Sequence, residues 1–70
     1  MFINIYSVLD KRVGHYGPLF IASTDSSALR TVSLSLKDNP FFDDYVLFRV
    51  GVFDDESGFI KSNDPVYVKE

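Results

Sequence analysis

The run Tyr45–Phe53 constrains this chain more than any other segment. Val46, Phe48, Val50 and Val52 alternate with Tyr45, Leu47, Arg49, Gly51 and Phe53, the period of two that a strand imposes on its faces. A strand with apolar residues on both sides needs cover on both sides, and 70 residues offer little cover. A domain of this size buries only about 60% of the surface its unfolded chain exposes. There is no cysteine to staple the chain, and the single histidine, His15, is too few for a usual zinc site. Stability must come from a dense apolar core or from self-association. The sequence is 46% hydrophobic, and its seven Phe and four Tyr are many for so small an interior, so some rings are expected at an interface.

The other elements follow from local chemistry. Phe2–Leu9 is rich in β-branched and aromatic residues and predicts a strand with Ile3, Ile5 and Leu9 on one face and Phe2, Asn4 and Tyr6 on the other. Asp10–Gly17 reads as a hairpin connection, and Leu19–Ala22 as a second strand, with Pro18 suited to the start of an edge strand. Thr24 or Ser23 can cap a helix from about Asp25 to Lys37, with Asp25 at the positive end of its dipole. Leu29, Val32 and Leu36, with Ala28 beside them, make its apolar stripe. Asn39-Pro40 stops it, because proline disfavours helical geometry in the residue before it. After Tyr45–Phe53, the acidic run Asp54–Gly58 predicts a turn, Phe59 and Ile60 pair back, Ser62–Pro65 interrupts, and Val66–Val68 adds a short last strand. The expected fold is one α+β domain spanning residues 1–70: an antiparallel sheet of three or four strands with one helix on one face, in the order β-β-α-β-(β).

One helix covers one side of a sheet. The valine-rich face of Tyr45–Phe53 is expected against Leu29, Val32 and Leu36, which leaves Phe2, Tyr6, Phe20, Tyr45, Leu47, Arg49 and Phe53 on the other side. That face has three possible uses. Phe2, Phe20, Leu47 and Phe53 could pack against a second copy. Tyr6 and Tyr45 could stack on nucleobases while Arg49 meets phosphate. The last strand and the loops could also fold over the face as ordinary core. On the helix, Arg30, Ser33 and Lys37 form a stripe that either follows a phosphate backbone or faces solvent. Lys11 and Arg12, with His15, make the densest basic spot, either a phosphate contact or a polar hairpin tip.

Catalytic chemistry finds little support. The carboxylates of Asp54–Glu56 lack the spacing of a calcium loop, His15 has no partner at triad spacing, and the four glycines are scattered rather than gathered in a phosphate loop. No enzyme activity, metal or cofactor is therefore expected. The net charge of −3 argues against a simple electrostatic nucleic-acid binder. Met1–Tyr6 lacks the charged start and long apolar stretch of a signal peptide, and no apolar run approaches the roughly 20 residues that span a bilayer.

Four segments, taken together, carry a family resemblance. They are Tyr6-Ser7-Val8-Leu9-Asp10-Lys11, Gly17-Pro18-Leu19-Phe20-Ile21-Ala22-Ser23-Thr24-Asp25, Ala28-Leu29-Arg30, and Asp43-Asp44-Tyr45-Val46-Leu47-Phe48-Arg49-Val50-Gly51-Val52-Phe53-Asp54-Asp55. Their order and spacing resemble the small nonstructural protein of the gokushoviruses, single-stranded-DNA phages of the microvirus family. The resemblance implies a DNA-binding protein in the cytoplasm of the infected bacterium, acting in single-stranded genome synthesis before packaging. It carries over no catalytic residue. Arg30 matches the helix arginine of the pattern, Tyr45 the aromatic after the acidic pair, and Gly51 a glycine where close approach would exclude a side chain. The expected partners are single-stranded DNA and a second copy of the chain. The alternative is a protein-interaction module that binds a viral replication or procapsid protein.

Overall fold

In the computed structural model, which describes residues 1–69, the two segments with the clearest alternation form the centre of the sheet. Strand β1 (Phe2–Asp10) and strand β4 (Tyr45–Asp54) pair antiparallel, from Phe2 opposite Asp54 to Asp10 opposite Tyr45. Two short strands, β2 (His15–Tyr16) and β3 (Phe20–Ala22), share the other edge of β1, and β5 (Ile60–Tyr67) lies along the other edge of β4. The single α-helix among the described residues, α1 (Asp25–Leu36), crosses from β3 to the turn before β4. The class is α+β, as the sequence predicts.

Local chemistry sets the element ends. The Thr24 hydroxyl accepts the Ser27 N–H at 3.1 Å and caps α1. Beyond α1, the Asn39 N–H reaches the Leu36 carbonyl at 2.9 Å, while its side chain accepts the Phe41 N–H at 2.8 Å. The strand expected at Leu19–Ala22 forms as β3, and a further short strand, β2, lies within Asp10–Gly17, expected to be only a hairpin connection; Pro18, with no N–H to give to a ladder, sits in the break between them. The break stays tied to β1: the Gly17 N–H donates to the Val8 carbonyl at 2.8 Å, and the buried Ser7 hydroxyl donates to the Gly17 carbonyl at 2.9 Å. At the tip between β4 and β5 the Asp54 carboxylate is held below its usual range, first by the Glu56 N–H and then by the Ser57 hydroxyl.

Two sequence expectations need correction. Ser62–Pro65 does not interrupt the last strand but lies inside β5 as a bulge. Arg49 pairs with Val66 and Gly51 with Ser62, so Asn63, Asp64 and Pro65 together oppose Val50. Val50 also lacks a partner on β1, where Ile5 faces Gly51 and Tyr6 faces Arg49. The extra residue inverts the alternation of β4. Tyr45, Leu47 and Arg49 share a face with Val52, while Val46 and Phe48 share the opposite face with Gly51 and Phe53.

The second correction concerns which face α1 covers. The core consists of Tyr6, Ala28, Leu47 and Val68, with Val8, Phe20, Ala22, Leu29 and Val32 packed against it. The helix therefore sits on the Tyr6–Leu47 side, not on Val46 and Phe48. Tyr6 wins this position because its ring fills the space beneath α1 while its hydroxyl has a partner there. That hydroxyl donates to the Asp25 carboxylate at 2.6 Å and accepts from the Asn4 amide at 3.1 Å.

Candidate nucleic-acid interface

Four of the residues singled out from sequence come together at one place. Lys11, Ser33, Lys37 and Tyr45 line a groove of about 670 Å³ between α1 and the adjoining ends of β4 and β5. Ser33 and Lys37 stand one turn apart on α1, as i and i+4 neighbours must. Lys11 arrives from the β1–β2 turn, whose backbone is fixed by the Lys11 N–H donating to the Asp44 carbonyl at 2.8 Å. The 3-10 turn Phe42–Asp44 leads directly into Tyr45, so Phe42, Asp43 and Tyr45 enter the groove together. Tyr67, at the end of β5, adds a third ring, over a floor that includes Leu29, Val32, Leu36 and Leu47.

The local chemistry differs from that of the whole chain. Two lysines face one carboxylate, Asp43, in the groove, while the chain carries −3 overall. The rings of Phe42, Tyr45 and Tyr67 and the Ser33 hydroxyl line the same groove as the lysines. Such a surface can stack planar groups and meet anionic ones, which is how sheet and groove platforms hold single strands.

A model of the phage ORF5 protein family matches residues 3–70. The chain belongs to the phage ORF5 protein family. No curated protein and no solved structure matches it significantly.

In this member of the phage ORF5 family, the other predicted DNA contacts sit elsewhere. Tyr6 is fully buried and cannot stack on a base. Its burial, then its hydrogen bond to Asp25, pushes its phenol above the usual tyrosine range. Arg49 does not wait for phosphate: its guanidinium donates to both Asp25 oxygens at 3.1 Å. Arg12 lies 3.4 Å from Asp44 and 3.8 Å from Asp10, with its guanidinium 4.5 Å from the Phe41 ring centroid. Arg30 is exposed on α1 and is not among the residues lining the groove.

The predicted dimer residues of this phage ORF5 protein also divide. Leu47 is core, and Phe20 is half-buried with its ring stacked on Tyr6 at 5.7 Å. Phe2 is exposed, and Phe53 lies on the sheet face away from α1. Sequence reasoning missed Phe42 and Tyr67. The signal for Tyr67 was the alternation of Val66–Val68, read as a weak strand; Phe42 had none, since only the turn before β4 brings it to the groove.

The Arg49–Asp25 pair is partly open to solvent, so its net worth is modest. Arg49→Ala is expected to cost about 1 kcal/mol in urea denaturation, at the level of an exposed ion pair. The same variant should bind single-stranded DNA as the native chain does. A loss of DNA affinity without a loss of stability would return Arg49 to the binding surface.

Proposed function

We propose that this phage protein is a nonenzymatic DNA-binding protein of the gokushovirus type, which holds single-stranded DNA during genome synthesis in the host cytoplasm. The observation that supports this most is the convergence of Lys11 and Lys37 on the Tyr45, Phe42 and Tyr67 rings in one groove. Stacking contributes about 1–3 kcal/mol per base and does not depend on the net charge of the protein. Two lysines then meet neighbouring phosphates, and the Ser33 hydroxyl donates a hydrogen bond to the backbone between them. A duplex keeps its bases stacked on each other and repels an acidic protein more strongly, so the single strand is the better ligand.

Fluorescence anisotropy with a labelled single strand and the matching duplex at low salt tests the reading. The expected result is saturable single-strand binding that exceeds duplex binding. No change in anisotropy with either DNA at high micromolar protein would reject it.

The net charge of −3 favours a second reading, a module that binds a viral replication or procapsid protein. A protein partner that co-purifies from infected cells after nuclease treatment would support that reading over the first.

A further inference from the structure

The sheet face turned away from α1 has a composition unlike the rest of the surface. Its paired positions are Ile3, Ile5, Ser7 and Leu9 on β1, and Val46, Phe48, Gly51 and Phe53 on β4. Tyr16 on β2, Ile21 on β3 and Ile60, Ser62 and Tyr67 on β5 complete it. None of these positions carries a charge, in a chain that is 24% charged. The centre is already shielded, with Ile5 and Ser7 buried, but the rim is open: Tyr16, Ile21, Ile60 and Tyr67 are 47%, 55%, 66% and 55% exposed. Tyr16 and Tyr67 flank Phe48 at 5.7 and 6.1 Å between ring centroids, a row of rings crossing the sheet.

We propose that this face is a homodimer interface, packed face to face on the same face of a second copy. Charge selects the occupant. A nucleic acid needs cations for its phosphates, and the paired positions of this face have none. Two copies, each at −3, repel through most of their surfaces, but this face can meet itself without opposing like charges. The area suffices as well. Four strands at about 4.8 Å spacing and about eight residues at about 3.3 Å each give a face of roughly 500 Å². Two such faces bury about 1,000 Å², the threshold for a specific interface. Need points the same way: of the thirteen exposed large hydrophobics among the described residues, Tyr16, Ile21, Ile60 and Tyr67 lie together on this face. The groove at Lys11 and Lys37 shares Val46 and Tyr67 with this face, so a dimer covers that wall of the groove, while Lys11, Ser33, Lys37, Phe42 and Tyr45 are not among the paired positions of the face.

Light scattering coupled to size exclusion tests this on the full chain. The expected mass is about twice 8.0 kDa. Ile21→Lys and Ile60→Lys alter exposed side chains and leave the monomer core intact. Each is expected to weaken dimerisation at least ~100-fold with an unchanged circular dichroism spectrum, since it buries an unpaired charge. Leu34→Lys changes an exposed residue of α1 and should leave the dimer mass unchanged. A native mass of 8.0 kDa at high micromolar concentration would overturn the proposal. So would a dimer that survives both sheet-face substitutions or is lost with Leu34→Lys. Tyr16→Ala abolishing DNA binding while the mass stays unchanged would assign the face to nucleic acid instead.

Discussion

Tyr6→Ala is expected to be the most destabilising single substitution in this domain, removing about 3–5 kcal/mol. Tyr6 is fully buried between β1 and α1, stacks on Phe20 and bridges Asn4 to Asp25. Truncating a buried aromatic to alanine costs about 3–5 kcal/mol. Typical stabilities of about 0.05–0.15 kcal/mol per residue give a domain this small roughly 4–10 kcal/mol in all. The substitution therefore removes a large part of the margin, and it leaves Asp25, at the start of α1, with Arg49 as its remaining partner. Urea denaturation followed by circular dichroism would show a midpoint lowered by about a third or more. A midpoint close to native would mean that Tyr6 is not central to the core.

Tyr6→Phe separates the ring from the hydroxyl. It keeps the packing and should cost about 1.5–3 kcal/mol, the range for a lost hydrogen bond to a charged group. The pH dependence identifies the cause. The folded state raises the Tyr6 pKa above its ordinary value of 10.0, so folding favours the neutral phenol. That contribution is complete below the unfolded pKa and is lost as pH rises through the folded pKa. Native stability should fall above about pH 10, and Tyr6→Phe should fall less over the same window. Equal alkaline losses in the two proteins would place the titrating group elsewhere.

Gly51→Ala is the second large effect. A Cβ built on Gly51 would lie 2.6 Å from the Lys61 carbonyl oxygen and 3.3 Å from the Ser62 Cα. Both are backbone atoms of β5, so no side chain can swing aside. The strand must retreat at its bulge, at a cost of about 1–3 kcal/mol for an overpacked site. The damage should be local. Amide exchange of Lys61 and Val66 is expected to accelerate, while the amides of β1 opposite β3 keep their protection. Uniform acceleration would mean that β5 unfolds only with the whole domain.

The sequence made some of this legible and hid the rest for identifiable reasons. β1, α1 and β4 follow from periodicities long enough to be unambiguous, and Thr24 caps α1 as its hydroxyl predicts. Gly51 was expected to exclude a side chain by close approach, and Lys61 is the group that approaches. The covered face of the sheet was misread because alternation assumes an unbroken ladder, and Val50 breaks it. The bulge splits the valine-rich face, so Val52 joins Tyr45, Leu47 and Arg49 on the helix side while Val46 and Phe48 lie on the other. The candidate DNA contacts were misread for a related reason. Arg49, Arg12 and Tyr6 look available in sequence, but Asp25, Asp44 and Phe41 claim them in space. Lys11, Ser33, Lys37 and Tyr45 belong to three separate surfaces in the sequence reading, a hairpin loop, a helix stripe and a sheet face, and only the fold brings them to one groove.

The salt dependence of single-strand binding tests the central claim most directly, compared between the native chain and Lys11→Ala/Lys37→Ala. Each phosphate contact on a single strand contributes about 0.7 to the slope of log affinity against log salt. If both lysines hold phosphate in the groove, the double variant should bind more weakly and lose about 1.4 from the slope. A variant that binds single-stranded DNA with the native affinity and the native slope would contradict the groove as the DNA site.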